Sequence, residues 1–551
     1  MKYTDNNSEI EILKIEVSRL KKELKKKKKY GLVWEEKPEE VIDMCKKKLP
    51  VLKEVKNKEI ITDKNKPMNL LIEGDNYHAL SVLNYTHAKK VDVIYIDPPY
   101  NTGNKDFIFN DRFVDKEDGY RHSKWLSFME KRLKLAKNLL KDTGVIFISI
   151  DDNEMAQLKL LMDDKNKGLF GEENFVQNFM WLHGKGKKDR WSRTLQQYIL
   201  CYAKNKNNLS SWSILNYVNY EFQNPDNDTR GSWFSGSISF SEERSNKHHL
   251  NYFEIKSPSG ITWKRQWQRS KEEMTELINQ KKIFFGIPPK YQSVPRIKIF
   301  PDDIDEQIPT NIIDNVETTR DAQKKLDALF DNRIFDYPKP ISLIKHLVQL
   351  SSKENSIILD FMAGSGTTGH AVLELNKEDN GNRKFILCTN NENNNGNGYK
   401  IAEDICYPRI KKVIEGYKNV KGKQVAGLGG NIKYFKTDFV NYKEPTDENK
   451  IKLTTEATEM LCIKEGTFEP VCDKKDFKLF KNASHHTGII WHTKAIQNFK
   501  KVIKDITGKI NIYIFSLGDE TFDEEFEDVK HKIKLSPIPE AILRVYRRIF
   551  K

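Results

Sequence analysis

The sequence predicts an α/β fold with a mainly parallel sheet, interrupted by an insert and followed by a further α/β module. Three observations predict it. Short apolar runs, among them "VDVIYID", "VIFISID" and "SIILDFMAG", have the composition of strands buried on both faces. Between the first two runs lies helical apolar spacing, "SKWLSFMEKRLKLAKNLL", with "NYHALSVL" ahead of them, and such alternation implies crossover connections and parallel strands. The regularity fades between about 183 and 330 into mixed sequence rich in Arg, Lys and aromatics, then resumes, which marks an inserted domain.

Each element follows from local signals. Ser8 and Glu11 have capping-box spacing, and Ile10, Leu13, Val17, Leu20 and Leu24 recur at steps of three and four, a short coiled-coil-like seam. Two heptads are marginal alone, so residues 1–60 are expected to pack on a partner subunit or on the body of the protein. Lys25 to Lys29 reads as a solvated helix end or, as the alternative, a contact to the DNA backbone. From Asn69, "NLLIEGD" is strand then turn, "NYHALSVL" a helix, and "VDVIYID" the next strand. Thr143-Gly144 breaks the long helical pattern before "VIFISID". The expected organisation is 1–60, an α/β domain over 61–182 and 331–424, an insert over 183–330, and a C-terminal α/β module over 425–551.

Composition narrows the function. Lys plus Arg is 93 against 79 Asp plus Glu, a net charge of +14, which favours a polyanionic partner such as nucleic acid. The six cysteines are widely separated and form no CxxC pair, so a reducing compartment without a structural metal is expected. No signal-peptide core and no run of about 18 apolar residues occurs, so a cytoplasmic protein is expected, with no membrane partner.

Two motifs carry chemistry. In "IYIDPPYNTGN", Pro98 and Pro99 cannot continue the strand, so Asp97 falls at its end. A carboxylate, a carbonyl at Pro98 and a stacking face on Tyr100, set in one rigid turn, suit holding an extruded base by its amino group and its flat face. In "DFMAGSGTTG", Gly364 and Gly366 follow a strand ending at Asp360 and precede a helix starting near Thr367. That turn alone allows either a bound dinucleotide-like ligand or close packing. No Lys follows the glycines, so the phosphate-binding GxxxxGK[ST] signature is absent.

"DPPY" at Asp97 to Tyr100 together with "DFMAGSGTTG" resembles the amino-group DNA methyltransferases, and the motif order resembles their circularly permuted β group. "KKYGLVWEEKPEEV", "LLIEGDNYHALSVL", "FDYPKPISLIKHLVQL", "YPRIKKVIEGY" and "PIPEAILRVYRRIF" extend the resemblance to the modification (Mod) subunits of type III restriction–modification systems along nearly the whole chain. The resemblance implies a circularly permuted, Rossmann-like methyltransferase domain that uses S-adenosylmethionine, with a target recognition domain inserted. It implies adenine methylation on double-stranded DNA, a homodimer, and an ATP-dependent restriction (Res) subunit as partner. Asp97, Pro98 and Tyr100 would be catalytic. Asp360, Phe361, Ala363, Gly364, Gly366 and Thr367 would cradle the methionine portion of the cofactor, with Lys339 and Pro340 closing the same end. Glu392, or its neighbours Asn390 and Asn391, would reach the ribose, and Asp75 would lie near the cofactor's adenine. In the insert, Arg190, Arg193, Lys264, Arg265 and Arg269 are candidates for DNA contacts.

Two departures from the family pattern stand out: Met362 where a second Phe is common, and Gln196-Gln197 where His-Glu is expected. Methylation of the 4-amino group of cytosine is a second reading, although Asp97 stands where those enzymes more often have Ser. A third is a binding subunit that delivers a nuclease partner, since no helicase or nuclease motif is visible.

Overall fold

The computed structural model describes residues 14, 16–18, 34–104, 106–184, 190–212, 222–303, 308–391, 398–419, 422–442, 446–517, 520 and 522–550. The expected N-terminal seam apart from Val17, the Lys25 to Lys29 run and Glu392 lie outside the described residues. The chain divides into two compact units, Met1–Ser210 with Asn311–Lys551, and Ser211–Thr310.

The first unit is built on an 11-stranded sheet. In chain order its strands are β1 (Lys48–Glu54), β2 (Ile60–Ile61), β3 (Met68–Glu73), β4 (Val91–Ile96), β5 (Leu140–Ile150), β6 (Phe175–Leu182), β7 (Gln196–Ala203), β8 (Ile312–Ile313), β9 (Ile357–Asp360), β10 (Lys384–Thr389) and β11 (Asn431–Asn441). Across the sheet they run β1-β11-β3-β10-β9-β4-β5-β7-β6-β8, with β2 on β11. The central run from β11 to β5 is parallel throughout, and β1 and β7 join it antiparallel. Strands β9 and β10 come late in the chain yet sit between β3 and β4, which come early. This is the permuted α/β order.

Crossover helices are supplied by α1 (Asn76–Thr86), α2 (Arg121–Leu139), α3 (Ile341–Ser351), α4 (Thr367–Asp379) and α5 (Tyr407–Glu415). Leu80, Leu83, Trp125, Met129 and Leu133 from α1 and α2 share one core with Ile94, Ile96, Ile146, Ile148 and Leu359 of the sheet. All are at most 1% exposed, and each such side chain stabilises the fold by about 1.5–3 kcal/mol relative to exposure. The same core takes in Leu461, Tyr513, Leu543 and Tyr546 of the C-terminal module, and Tyr546 Oη donates to Pro50 O at 2.5 Å. That module carries a five-stranded mixed sheet, Glu469–Asp473, Phe477–Lys481, His485–Ile490, Lys509–Phe515 and Ile533–Ile538 in order, parallel over its last three strands.

Residues 183–210 and 311–330, expected within the insert, fall in the first unit. The strand run "QQYILCYA" is the reason: β7 is apolar enough to pair with both β5 and β6, although its flanks are rich in Arg and Lys. The second unit holds a hairpin (Tyr252–Lys256 with Thr262–Gln266), a three-stranded sheet, and the helix Lys271–Asn279 started by a Ser270–Glu273 capping box. Ile255, Trp267, Met274 and Phe285 form its small core. Among the described residues no helix is long and apolar enough to cross a membrane.

Candidate active site

Four neighbouring parallel strands, β3, β10, β9 and β4, end on the same side, and each end carries a turn that the sequence singles out. Such a crevice beyond the carboxyl ends of parallel strands is where open α/β sheets hold ligands.

At the end of β4, Asp97 is half-buried. Its Oδ2 accepts from Lys339 Nζ at 2.8 Å. Its Oδ1 is buried and has no hydrogen-bond partner among the described residues. The Lys339 ammonium also lies 4.9 Å from the centroid of the Tyr100 ring. Lys339 thus reaches the turn at the end of β4, and Pro340 is the N-cap of α3. Trp125 of α2 donates from Nε1 to Pro99 O at 2.7 Å, which pins the proline turn from below the sheet end. Tyr100 Oη donates to Gln197 Oε1 at 3.2 Å. The departure at Gln197 therefore still supplies a polar partner to the ring, from β7. Burial, followed by the nearby Asp97 charge, pushes the Tyr100 phenol well above its ordinary range, so it stays neutral.

At the end of β9, Asp360 is used differently. It is 2% exposed, its Oδ1 accepts from Met362 N at 3.0 Å, and its Oδ2 accepts from Thr368 Oγ1 at 2.5 Å. Both oxygens tie the Gly-rich turn to the start of α4. Burial raises its pKa to about 7 against those hydrogen bonds. Gly364 and Gly366 have φ of +49° and +80°. A Cβ on Gly366 would stand 2.9 Å from Cys406 Sγ, and one on Gly364 would stand 3.2 Å from Phe335. The turn is thus left-handed at two positions and closely backed, which glycine alone accepts without strain. Phe361 is fully buried, and Ala363 N donates to Cys388 O on β10 at 3.1 Å. Thr367 Oγ1 and Ser365 Oγ each accept from Arg409 Nη1 at 2.9 Å. Burial lowers the pKa of that guanidinium to about 10, and it remains a cation behind the turn.

At the ends of β3 and β10, Asp75 N-caps α1 by accepting from Tyr77 N at 2.7 Å and lies 3.5 Å from Arg132. Asn391 is committed inward: its amide donates to Glu73 Oε1 at 2.7 Å and its oxygen accepts from Ala402 N and Glu403 N. Of the three ribose candidates, Asn390 keeps its place at the strand end, and Glu392 lies outside the described residues.

The basic candidates divide between the units. Arg190 and Arg193 are exposed on the segment before β7, with Arg190 4.7 Å from the Trp191 ring. Lys264 and Arg265 lie on the hairpin strand Thr262–Gln266, Lys264 being 3.3 Å from Glu254, and Arg269 is exposed just beyond. Residues that sequence reasoning missed are Trp125, Asn101, Glu154, His122 and Arg409. Asn101 had a readable signal, since it directly follows Tyr100, and Arg409 lies in the quoted "YPRIKKVIEGY"; nothing local in sequence marks the other three.

The fold and the paired strand-end turns define a class. The family described as DNA methylase matches residues 91–407, from the first residue of β4 to the first of α5, and the chain belongs to that family. Among curated relatives, the chain is 35% identical to the type III restriction–modification enzyme StyLTI Mod subunit of Salmonella typhimurium over 395 residues, which is 66% of this chain and 59% of that one. It is 32% identical to the EcoPI Mod subunit of Escherichia phage P1 over 412 residues, 63% of this chain and 62% of that one. It is also 32% identical to the type II methyltransferase M.KpnI of Klebsiella pneumoniae over 385 residues, 64% of this chain and 89% of that one. The chain therefore spans about six tenths of the length of the Mod relatives it matches.

Proposed function

We propose that this protein transfers a methyl group from S-adenosylmethionine to the exocyclic amino nitrogen of adenine in double-stranded DNA. In this reading it is the modification and recognition subunit of a type III restriction–modification system. The observation that carries the reading is Asp97 Oδ1 at the end of β4, buried and without a hydrogen-bond partner among the described residues, beside the glycine turn at the end of β9, in a DNA methylase whose relatives include Mod subunits.

The residues present fit the cofactor. A buried carboxylate oxygen without a donor is costly to maintain, and a substrate N–H would satisfy it. The turn from Asp360 through Thr367 would hold the methionine portion, and Asn390 or Glu392 the ribose; bound there, the cofactor supplies an electrophilic methyl group. The chain's own part is positional. Tyr100 stacks on the extruded base, with its phenol neutral. Asp97 Oδ1 and the Pro98 carbonyl accept the two amino hydrogens, drawing the nitrogen lone pair out of conjugation and toward the methyl group. The Pro99 carbonyl is already taken by Trp125, so the turn is set before the base arrives. Orientation of this kind accounts for about 7–11 kcal/mol of barrier lowering in well-aligned systems.

The compact unit Ser211–Thr310 serves as the core of the target recognition domain, with Lys264, Arg265 and Arg269 on its basic hairpin region, and Arg190 and Arg193 add phosphate contacts. The N-terminal segment joins two copies into a homodimer, and a Res subunit is the partner that would cleave. Incubating unmethylated DNA with the purified protein and S-adenosylmethionine, followed by single-molecule sequencing, tests the reading. Methyladenine at a short asymmetric site is expected. Methylcytosine would replace the base assignment, and no modification of any DNA would contradict the enzymatic reading.

A further inference from the structure

Glu154 follows β5 in the stretch "ISIDDNEM" and is 0% exposed. Its Oε1 accepts from Asn101 Nδ2 at 2.5 Å and from His122 Nδ1 at 2.7 Å. The Asn101 amide also donates to the carbonyl of Arg121 at 3.3 Å, so both its hydrogens are used. Arg121 Nε donates to His122 Nε2 at 3.1 Å, which leaves Nδ1 as the ring nitrogen that carries the hydrogen for Glu154.

Asn101 directly follows Tyr100. It is 0% exposed and has φ of +56°. The left-handed conformation costs a non-glycine residue on the order of 1 kcal/mol, least for Asn, and persists where surrounding contacts over-determine it. The contacts here are to a carboxylate taken wholly out of water, itself a cost of several kcal/mol that only tight pairing offsets. Moreover, Glu154 Oε2 and Asn101 Oδ1 are both buried without a hydrogen-bond partner among the described residues. A core designed for stability alone would fill this place with apolar side chains. The expensive pair stands one residue from the ring that would stack on the base, and it joins the start of α2 to the loop after β5 across that turn.

We propose that Glu154 is a positioning residue that acts through Asn101, locking the left-handed turn that presents Tyr100 and Asp97 to the substrate. This rests on the reading of Asp97 to Tyr100 as the catalytic turn. The Asp360 turn at β9 is held by other residues, so loosening the Glu154 clamp affects turnover and leaves cofactor binding alone.

Reciprocal exchange tests it on the full chain. Asn101→Asp sets two carboxylates against each other; kcat is expected to fall about tenfold or more, with the KM for S-adenosylmethionine and the calorimetric Kd for S-adenosylhomocysteine within about twofold of wild type. Adding Glu154→Gln restores that donor–acceptor pair with the polarity reversed, while the bond to the Arg121 carbonyl stays lost, so part of the lost kcat returns. An unchanged kcat in Asn101→Asp, or a double variant no better than the single, overturns the proposal. So does a loss of cofactor affinity in step with kcat. If Asn101→Asp does not fold, Asn101→Ser removes the amide without adding charge, and an unchanged kcat there overturns the proposal equally. A wild-type chain that binds S-adenosylhomocysteine but methylates no DNA overturns the catalytic reading and this proposal with it; a wild-type chain that methylates DNA confines any failure to the clamp.

Discussion

Asp97 and Asp360 stand at the ends of adjacent parallel strands, each opening a turn, and the fold uses them in opposite ways. Asp360 is buried with both oxygens engaged by Met362 N and Thr368 Oγ1, so it organises the chain around it. Asp97 gives one oxygen to Lys339, and the other is buried without a hydrogen-bond partner among the described residues. The same side chain at the same place in the topology is structural where its hydrogen-bonding capacity is filled and available for chemistry where it is not. Strand position brings an acid to the crevice, and the local bonds decide what it can do there.

The largest expected effect is on Asp97. Asp97→Ala should lower methyl transfer by about a thousandfold or more while leaving most DNA affinity, measured by fluorescence anisotropy beside a radiolabelled-methyl assay. Normal turnover in that variant would break the comparison.

Asp360 should show instead as a pH effect on stability. Its folded pKa of about 7 lies above the ordinary carboxylate value of 3.8, so the fold favours the protonated acid. That contribution is fully present below about pH 4 and is lost as pH rises through about 7, an amount on the order of 4 kcal/mol. Asp360→Asn removes the titrating group. The Tm of the variant relative to wild type should therefore rise by a few degrees between about pH 5 and pH 8, read by scanning calorimetry. A pH-independent difference would show that the carboxyl is not held protonated.

The smallest effect sharpens the same point. Thr368→Val removes the hydroxyl that donates to Asp360 Oδ2 and leaves a buried acceptor unsatisfied, at a cost of about 1–3 kcal/mol. A lowered Tm with an unchanged KM for DNA is expected.

Much of this was legible in the sequence because it is local. The strand ends at Asp97 and Asp360 follow from prolines and glycines that cannot continue a strand, and the resemblance of both turns to the family's motifs led to the family that residues 91–407 match. What was not legible depends on distant pairing. Lys339 lies 242 positions from Asp97, and no periodicity joins them. Glu154 has no motif of its own, and its meaning comes only from Asn101, 53 positions earlier. Asp75 reads from sequence as a neighbour of the cofactor's adenine, and its bond from Tyr77 N as the cap of α1 shows only in the fold. Strand β7, paired on both sides, was hidden for a different reason: its flanking Arg and Lys residues blurred an apolar run that the sheet needs.

The most direct test of the central contrast is to measure kcat for Asp97→Asn and Asp360→Asn side by side on the same DNA at about pH 8. Both substitutions keep size and shape. In Asp360→Asn the new amide still accepts from Met362 N and can donate to Thr368, so turnover should stay within about fivefold of wild type, whereas Asp97→Asn should lose about a hundredfold or more. Equal losses in the two variants, or the larger loss in Asp360→Asn, would contradict the account.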